Sequence, residues 1–223
     1  MANITLIIGE SGTGKSSSIE TLDPKETFVI NVIDKPLPFR GANTRYKRRD
    51  KDNAGNYTST DDYDKILKVI AFINKEMPHV KNVIIDDFQY IMANEFMRRA
   101  KERGYEKFTE IAQHAWTIIS NAQLCRDDLY FFFLSHSEST QDGIVKAKTI
   151  GKMLDDKITV EGMFTVVFHS LINDGKYKFL TQNDSVHIAK SPRGMFDDKA
   201  IDNDLGKIKV EMSKYYGENE VFL

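Results

Sequence analysis

The feature that most constrains this chain is a short run near its start in which glycines, a lysine and a serine stand at fixed spacing. Residues 9–16 read GESGTGKS, the pattern of a phosphate-binding loop, also called Walker A. An apolar run at 4–8 precedes them, and a polar stretch compatible with a helix follows. Glycines permit backbone conformations and close approaches that a side chain would block. The sequence therefore predicts a strand, a glycine loop (residues 9–16) and a helix in that order.

Each part of the glycine loop has a predicted contact with a nucleotide. Backbone N–H groups of the loop and of the following helix point at phosphate oxygens. Lys15 reaches the outer phosphates as a point charge, and the Ser16 hydroxyl binds the Mg²⁺ that accompanies ATP. We therefore expect the cofactors ATP and Mg²⁺, with the phosphates bound by Gly9, Glu10, Ser11, Gly12, Thr13, Gly14, Lys15, Ser16 and Ser17.

A second motif stands about seventy residues later, where residues 83–87 read VIIDD. Three β-branched apolar residues predict a buried strand of a parallel sheet, and its carboxyl end is where such sheets bind ligands. This is a Walker B pattern. It predicts that Asp86 holds the Mg²⁺ and its water shell, and that Asp87 orients or deprotonates the attacking water.

A third apolar run, residues 129–134, is followed by Ser135 and His136. A polar side chain at the end of a strand beside the nucleotide can sense the γ-phosphate, and these two residues are the candidates. For His136, a structural role as a hydrogen-bonded histidine is an equally good interpretation.

Strands and helices alternate along the chain, which predicts an α/β fold with a central, mostly parallel sheet between helices. The turn at 173–175 reads NDG and predicts a C-terminal β-hairpin. An apolar stripe on the helix 108–124, together with Trp116, is expected in the core. One domain covers residues 1–223. The predicted strands are 3–8, 27–33, 82–86, 129–134, 163–172 and 177–182, and the predicted helices are 15–22, 61–77, 89–103, 108–124 and 201–217.

Composition excludes several other classes of protein. With 223 residues, 41% hydrophobic and 29% charged, the chain has the composition of a soluble globular domain. The single cysteine, Cys125, excludes an internal disulfide framework and a multi-cysteine metal site. No run approaches the ~20 apolar residues that span a bilayer, and the first residues lack the features of a signal peptide. We therefore expect a cytoplasmic protein that has no contact with membranes.

The net charge of −2 hides local basic islands. Residues 35–51 hold seven basic residues and one acid, and aromatic residues are interleaved or adjacent. A flexible loop of this kind suits single-stranded nucleic acid, although a solvated surface is an equal alternative. A second island has the same two interpretations, whereas a third contains acids and is expected to be solvated surface. The second island is Lys146, Lys148 and Lys152, and the third is Arg98, Arg99, Lys101 and Arg103.

The chain resembles the RecA-like branch of P-loop ATPases in the order of its features, which are the two motifs, the polar strand end, the basic loop and the hairpin. The chain is most similar to short phage proteins of that branch, the recombinases and strand-annealing ATPases. The resemblance implies a homo-oligomer with ATP at subunit interfaces, single-stranded DNA as partner, and the host cytoplasm as location. Residues 189–196 are similar to a late Lys/Arg motif, which implies that Lys190 and Arg193 reach the ATP of a neighbouring subunit.

One departure from the family pattern concerns the catalytic base. RecA-like ATPases usually carry a glutamate at the end of the strand that follows the glycine-loop helix, but residues 31–36 read NVIDKP. Asp34 could substitute with a shorter reach, or Asp87 could act instead. The identity of the base stays open at this point.

Three alternative functions use the same motifs. An AAA+-like ATPase could load or move a protein partner such as a helicase. A nucleotide or small-molecule kinase would use the arginines of the third island, Arg98, Arg99 and Arg103, as lid residues. A nucleotide-dependent assembly switch would bind ATP without turnover.

Overall fold

A sheet of nine strands forms the middle layer of the protein in a computed structural model that describes residues 1–151 and 157–217. The strands are β1 (Asn3–Gly9), β2 (Thr27–Asn31), β3 (Tyr57–Ser59), β4 (Asn82–Asp86), β5 (Tyr130–Ser139), β6 (Val145–Ala147), β7 (Val166–Asn173), β8 (Lys176–Leu180) and β9 (Ala200–Asp202). The helices are α1 (Ala42–Arg45), α2 (Tyr63–Glu76), α3 (Gln89–Arg98), α4 (Glu106–Gln123) and α5 (Leu205–Tyr215), with 3-10 helices at Ser16–Thr21 and Val160–Met163.

The strand order places the ends of several strands side by side. The order is β3-β2-β4-β5-β1-β7-β8-β9, in which the first six strands are parallel to one another and β8 pairs antiparallel with both β7 and β9. β6 pairs with the outer part of β5. Because parallel strands share one carboxyl edge, the residues that follow β1, β2, β4 and β5 meet there. The predicted α/β fold with a mostly parallel sheet is confirmed.

Both faces of the central strands are buried, which explains why their sequences are apolar throughout. Phe131 and Phe133 of β5 pack on the face covered by α2, α3 and α4. Phe132 and Leu134 pack on the opposite face, which α5 covers. The predicted hairpin is also present: Asp174 and Gly175 take φ values of 49° and 73°, the left-handed conformation that a two-residue turn needs.

The helix predicted at 15–22 is wrong in type, because the chain forms a 3-10 helix of six residues there. Its hydroxyl groups bond the backbone of their own turn: Ser18 Oγ donates to the carbonyl of Lys15 at 2.6 Å, and Thr21 Oγ1 to that of Ser18 at 3.0 Å. Such bonds compete with the α-helical pattern. Leu22 is extended, and the helix ends.

Other elements differ from the predictions in their bounds. The polar stretch after β2 contains α1 and β3, which were not predicted. The predicted helix 201–217 begins instead at Leu205, because the Asp204 carboxylate accepts from the N–H of Lys207 at 2.9 Å and caps that end. The stripe on α4 is buried as predicted, but Trp116 is 43% exposed and lies outside the core.

Arg126, in the segment between α4 and β5, closes the carboxyl end of α2. Its guanidinium donates to the carbonyls of Ile73 and Asn74 at 2.9 and 3.0 Å. It also donates to the carbonyl of Met77 at 3.1 Å and to that of Val80. Carbonyls at a helix end lack most of the partners they would have within the helix. Here the carbonyls of Ile73 and Met77 also accept from the backbone N–H groups of Met77 and Val80, and the guanidinium adds a charged donor to all four.

We expect Arg126→Ala to lower the free energy of unfolding by about 2–3 kcal/mol, because it removes the charged donor of four carbonyls, of which those of Ile73 and Met77 keep a backbone donor. Arg126→Lys should recover only part of this, since an ammonium lacks the planar fork. Urea unfolding measures the effect, with Arg103→Ala as an exposed control that should change stability by less than about 0.5 kcal/mol. Equal stability of the Arg126 and Arg103 variants would contradict this cap.

Candidate active site

The glycine loop leaves β1 at the carboxyl edge of the sheet in a conformation that requires its glycines. Gly12 and Gly14 take φ values of 83° and 93°, where other residues are strained. A Cβ on Gly9 would lie 2.5 Å from the carbonyl oxygen of Ser170 on β7, so a side chain has no room. Ser170 Oγ in turn donates to the carbonyl of Thr13 at 2.7 Å. The loop therefore packs against the middle of β7.

The ammonium of Lys15 lies inside the curve of the glycine loop. Its Nζ donates to the carbonyl oxygens of Gly9 and Glu10, each at 2.8 Å. Burial lowers the pKa of Lys15, and the charges of Asp87 and Asp86 raise it; burial has the larger effect, so the pKa falls to about 8. The group is thus a buried cation at the mouth of the loop, while Glu10 beside it is exposed.

The loop and the acid pair of β4 are joined by one hydrogen bond. Ser16 Oγ donates to Asp86 Oδ1 at 2.8 Å, across 70 residues of sequence. Asp86 is 1% exposed, and its Oδ2 has no hydrogen-bond partner. Burial, followed by the charge of Asp87, raises the pKa of Asp86 to about 6. A buried carboxylate of this kind is stabilised by a cation placed against its free oxygen.

The residues fit a magnesium ion that a phosphate chain helps to bind. Among residues 1–151 and 157–217, no cluster of three or more His, Cys, Asp or Glu side chains could hold a metal by itself. Mg²⁺ is commonly bound through one or two carboxylates together with substrate phosphates and water. The unpartnered oxygen of Asp86 and the hydroxyl of Ser16 would supply the protein's share of such a site.

Asp87 turns back toward the site because its backbone is left-handed, with φ at 63°. Lys35, which follows β2, places its Nζ 2.7 Å from Asp87 Oδ2, and His136 Nε2 lies 3.5 Å from Oδ1. Burial favours a higher pKa for Asp87, but the bonds from His136 and Lys35 outweigh it and hold that pKa below its ordinary value. Asp87 is therefore ionised, while the pKa of the neighbouring Asp86 carboxyl is raised.

The register of β5 brings His136 level with Gly9, at the start of the glycine loop. Gln89, the first residue of α3, accepts from the backbone N–H of His136 at 3.0 Å and from Ser135 Oγ at 3.3 Å. Both sensor candidates are thus positioned by one buried amide. Gln89 and Lys35 were not predicted as site residues, although Gln89 stands two residues after Asp87 and Lys35 directly follows Asp34.

Three further predicted site residues lie elsewhere. Both oxygens of Asp34 accept hydrogen bonds from Arg48, at 2.6 and 2.7 Å, and Tyr57 donates to Oδ1 at 2.9 Å. Because both oxygens of Asp34 are engaged in this way, Asp87 is favoured over Asp34 as the catalytic base. Lys190 pairs its backbone with Val167 in β7. The carbonyl of Arg193 accepts a hydrogen bond from Oη of Tyr215, the last residue of α5, at 3.3 Å. That Lys190 and Arg193 reach the ATP of a neighbour stays a prediction.

The first basic island is a folded segment, which corrects the expectation of a flexible loop. Tyr46 is 5% exposed and packs in the core, so its ring is closed to nucleic-acid bases. Arg45 donates to the carbonyl of Leu22 at 2.8 Å, and Arg49 lies over the ring of Phe72 at 4.8 Å. Much of the charge in residues 35–51 is therefore committed to contacts within the chain.

The other two islands differ from each other. Lys148 is exposed at the edge of the site, where its backbone N–H donates to the carbonyl of His136 at 2.9 Å. Lys146 lies 3.8 Å from Glu138, and Lys152 is outside the described residues. In the third island, ion pairs to acids support the expected surface role: Arg98 pairs with Asp61, and Arg99 with Glu95, Glu102 and Glu110.

A buried histidine in the middle of β7 was not found from the sequence. His169 is 3% exposed, and its Nδ1 has no hydrogen-bond partner. Its ring centroid lies 4.4 Å from that of His187, whose Nδ1 lies 2.8 Å from Asp184 Oδ2. Burial, followed by the charge of His187, lowers the pKa of His169 to about 4.

Neither a scan against protein-family models nor a search of curated proteins finds a match to the chain. In the described part of the chain, no helix has both the length and the apolar character needed to cross a membrane. We therefore infer function from the residues and their geometry alone.

The low pKa of His169 predicts a pH dependence of stability. Its ordinary value is 6.5 and its folded value about 4, so between these the unfolded chain binds more protons and stability falls as pH falls. Between pH ~7 and pH ~4, the free energy of unfolding of the wild type should fall by up to about 3 kcal/mol more than that of His169→Gln. Urea unfolding across this range measures it.

The comparison with His169→Gln removes the contributions of other groups that titrate in the same range. Asp86, whose pKa is raised to about 6, acts with the opposite sign and is present in both proteins. Parallel stability curves for the wild type and His169→Gln would show that His169 does not titrate in this way.

Proposed function

We propose that the protein is a RecA-like P-loop ATPase that binds ATP and Mg²⁺ at the glycine loop and acts on single-stranded DNA in phage recombination or replication. The observation that carries this proposal is the 2.8 Å hydrogen bond between Ser16 and Asp86. It places the hydroxyl and the carboxylate that the two motifs assign to Mg²⁺ in direct contact, at the sheet edge where ligands bind in α/β folds.

In this proposal the chain's own residues bind and orient the triphosphate. Backbone N–H groups of the glycine loop hold the phosphate oxygens, and Lys15 exchanges its bonds to loop carbonyls for bonds to the outer phosphates. Ser16 and Asp86 hold the Mg²⁺, which when bound neutralises charge on the phosphates. The buried position of Lys15 strengthens its attraction for a phosphate, because little water screens it.

Asp87 is the group that we assign to the attacking water. Its ionised carboxylate orients the water and accepts its proton as the oxygen bonds to the γ-phosphorus and the bond to ADP breaks. Lys35 fixes one carboxylate oxygen at 2.7 Å, and the other oxygen, 3.5 Å from His136, is directed at the site. His136 thereby lies where it can contact both the water and the γ-phosphate.

An exposed basic residue at this edge supports an anionic polymer as partner. Lys148 is exposed next to His136, whereas Lys35 is committed to its ion pair with Asp87. A strand of nucleic acid bound here would lie beside the hydrolysis site. The kinase alternative is weaker, because Arg98 and Arg99 are engaged in ion pairs on α3.

Lys15→Ala should reduce ATP turnover roughly 100-fold or more, because it removes a charge that stabilises the transferred phosphoryl group. Release of inorganic phosphate, with and without single-stranded DNA, measures the effect. Lys25→Ala, an exposed lysine outside the loop, is the control and should leave turnover unchanged. Thermal unfolding of both variants separates loss of activity from loss of fold.

The same assay distinguishes the alternatives. Stimulation of the wild type by single-stranded DNA would support the proposal, and stimulation only by a protein partner would support a loader. Binding of ATP without release of phosphate would support an assembly switch. Normal turnover by Lys15→Ala would refute the site assignment.

The double variant Lys146→Ala, Lys148→Ala should weaken binding to single-stranded DNA at low salt while ATP affinity is unchanged. The slope of log affinity against log salt should become shallower by roughly 0.7 for each lost phosphate contact. Fluorescence anisotropy with a labelled oligonucleotide measures both. Lys65→Ala, Lys75→Ala removes the same charge from exposed positions on α2 and serves as the control. Identical DNA affinity in the two double variants would exclude the second island from the interface.

A further inference from the structure

Two side chains from the carboxyl-terminal part of the chain lie over Gly14 of the glycine loop. A Cβ added to Gly14 would lie 2.8 Å from Cδ1 of the Tyr177 ring and 3.2 Å from Nδ2 of Asn203. Tyr177 belongs to β8, and Asn203 stands between β9 and α5. Neither residue was singled out by its sequence, and neither has a part in the proposed hydrolysis.

These residues lie on the side of the loop that faces away from the acid pair. In the sheet, β5 and β4 stand on one side of β1, and β7, β8 and β9 stand on the other. Asp86 and Asp87, at the end of β4, therefore mark the end of the site that receives the outer phosphate. A triphosphate chain that lies along the loop must direct its other end, the nucleoside, toward Tyr177 and Asn203.

The chemistry of both side chains suits a nucleobase. Tyr177 is 50% exposed, so its ring has free surface beside the loop. Aromatic rings stack with any base, since every base has a π face. Asn203 Nδ2 is shielded from solvent and has no hydrogen-bond partner, and a buried donor in that state is costly. A purine ring nitrogen is an acceptor that would satisfy it.

A groove lined in part by Asp202 and Asp204, the chain neighbours of Asn203, favours an uncharged group over a phosphate. It has a volume of about 670 Å³, within the range of small-molecule sites. Among the described residues, four carboxylates and two lysines line it, so it repels phosphates and offers acceptors to ribose hydroxyls. These charged lining residues are Asp198, Asp202, Asp204, Glu211, Lys178 and Lys207.

We propose that Tyr177 and Asn203 form the nucleoside subsite of this protein, with a purine base stacked on the Tyr177 ring and hydrogen-bonded to the Asn203 amide. This inference rests on the proposed function, because it assumes that the glycine loop holds the phosphates. It adds the contacts that distinguish a nucleoside triphosphate from a bare phosphate chain.

The test compares ATP with inorganic tripolyphosphate, which has the phosphates but no nucleoside. Isothermal titration calorimetry in the presence of Mg²⁺ gives both affinities. Tyr177→Ala should weaken ATP binding about tenfold or more, the loss expected for one stacked base, and leave tripolyphosphate binding unchanged. Tyr177→Phe keeps the ring and should retain the affinity for ATP. Asn203→Ala should also weaken ATP binding selectively.

Tyr216→Ala is the matched control, since Tyr216 is 42% exposed but stands beyond the last residue of α5. It should change neither affinity. Equal weakening of ATP and tripolyphosphate by Tyr177→Ala would show that the ring only shapes the loop and would overturn the subsite, as would an unchanged affinity for ATP. A wild-type chain that binds neither ligand would instead refute the proposed function itself.

Discussion

The hydrogen bond between Ser16 and Asp86 is the contact on which the rest of the site depends. It exists because β5 stands between β1 and β4, so that three neighbouring strands end at one edge in the order loop, His136, acid pair. Each strand is buried on both faces, and the core on either side fixes the position of the strand along its own axis. The apolar runs that bury the sheet therefore also set the distance between the hydroxyl and the carboxylate.

Charge is distributed unevenly within this edge. Lys15 bonds to carbonyls of the loop, and Lys35 pairs with Asp87, while one oxygen of Asp86 has no partner. The two neighbouring carboxyls consequently have pKa values displaced in opposite directions. Their environments separate their roles, since one requires a further cation and the other is already stabilised as an anion. Asp86 is thus suited to hold a metal ion and Asp87 to act on water.

The parts of the protein that could be predicted from sequence are those encoded by local patterns. Glycines before a lysine, and acids after a β-branched run, each lie within a few residues of the strand that positions them. The 3-10 form of residues 16–21 was missed because serine hydroxyls bond their own turn, which apolar periodicity does not show. Arg48 was counted as free charge, although it pairs with Asp34, fourteen residues away along the chain.

The adjacent residues Asp34 and Lys35 show why the charges along the sequence do not predict which ion pairs form at this edge. Asp34 bonds Arg48 of the first basic island and Tyr57 of β3, and Lys35 forms an ion pair with Asp87 in the site. One peptide unit therefore joins a basic surface segment to the carboxylate that we assign to water. Because a buried carboxylate that loses its cation is strongly destabilised, Lys35 can move away only where another positive group takes its place. The conformation of this segment and the charge state of the site are linked through that constraint.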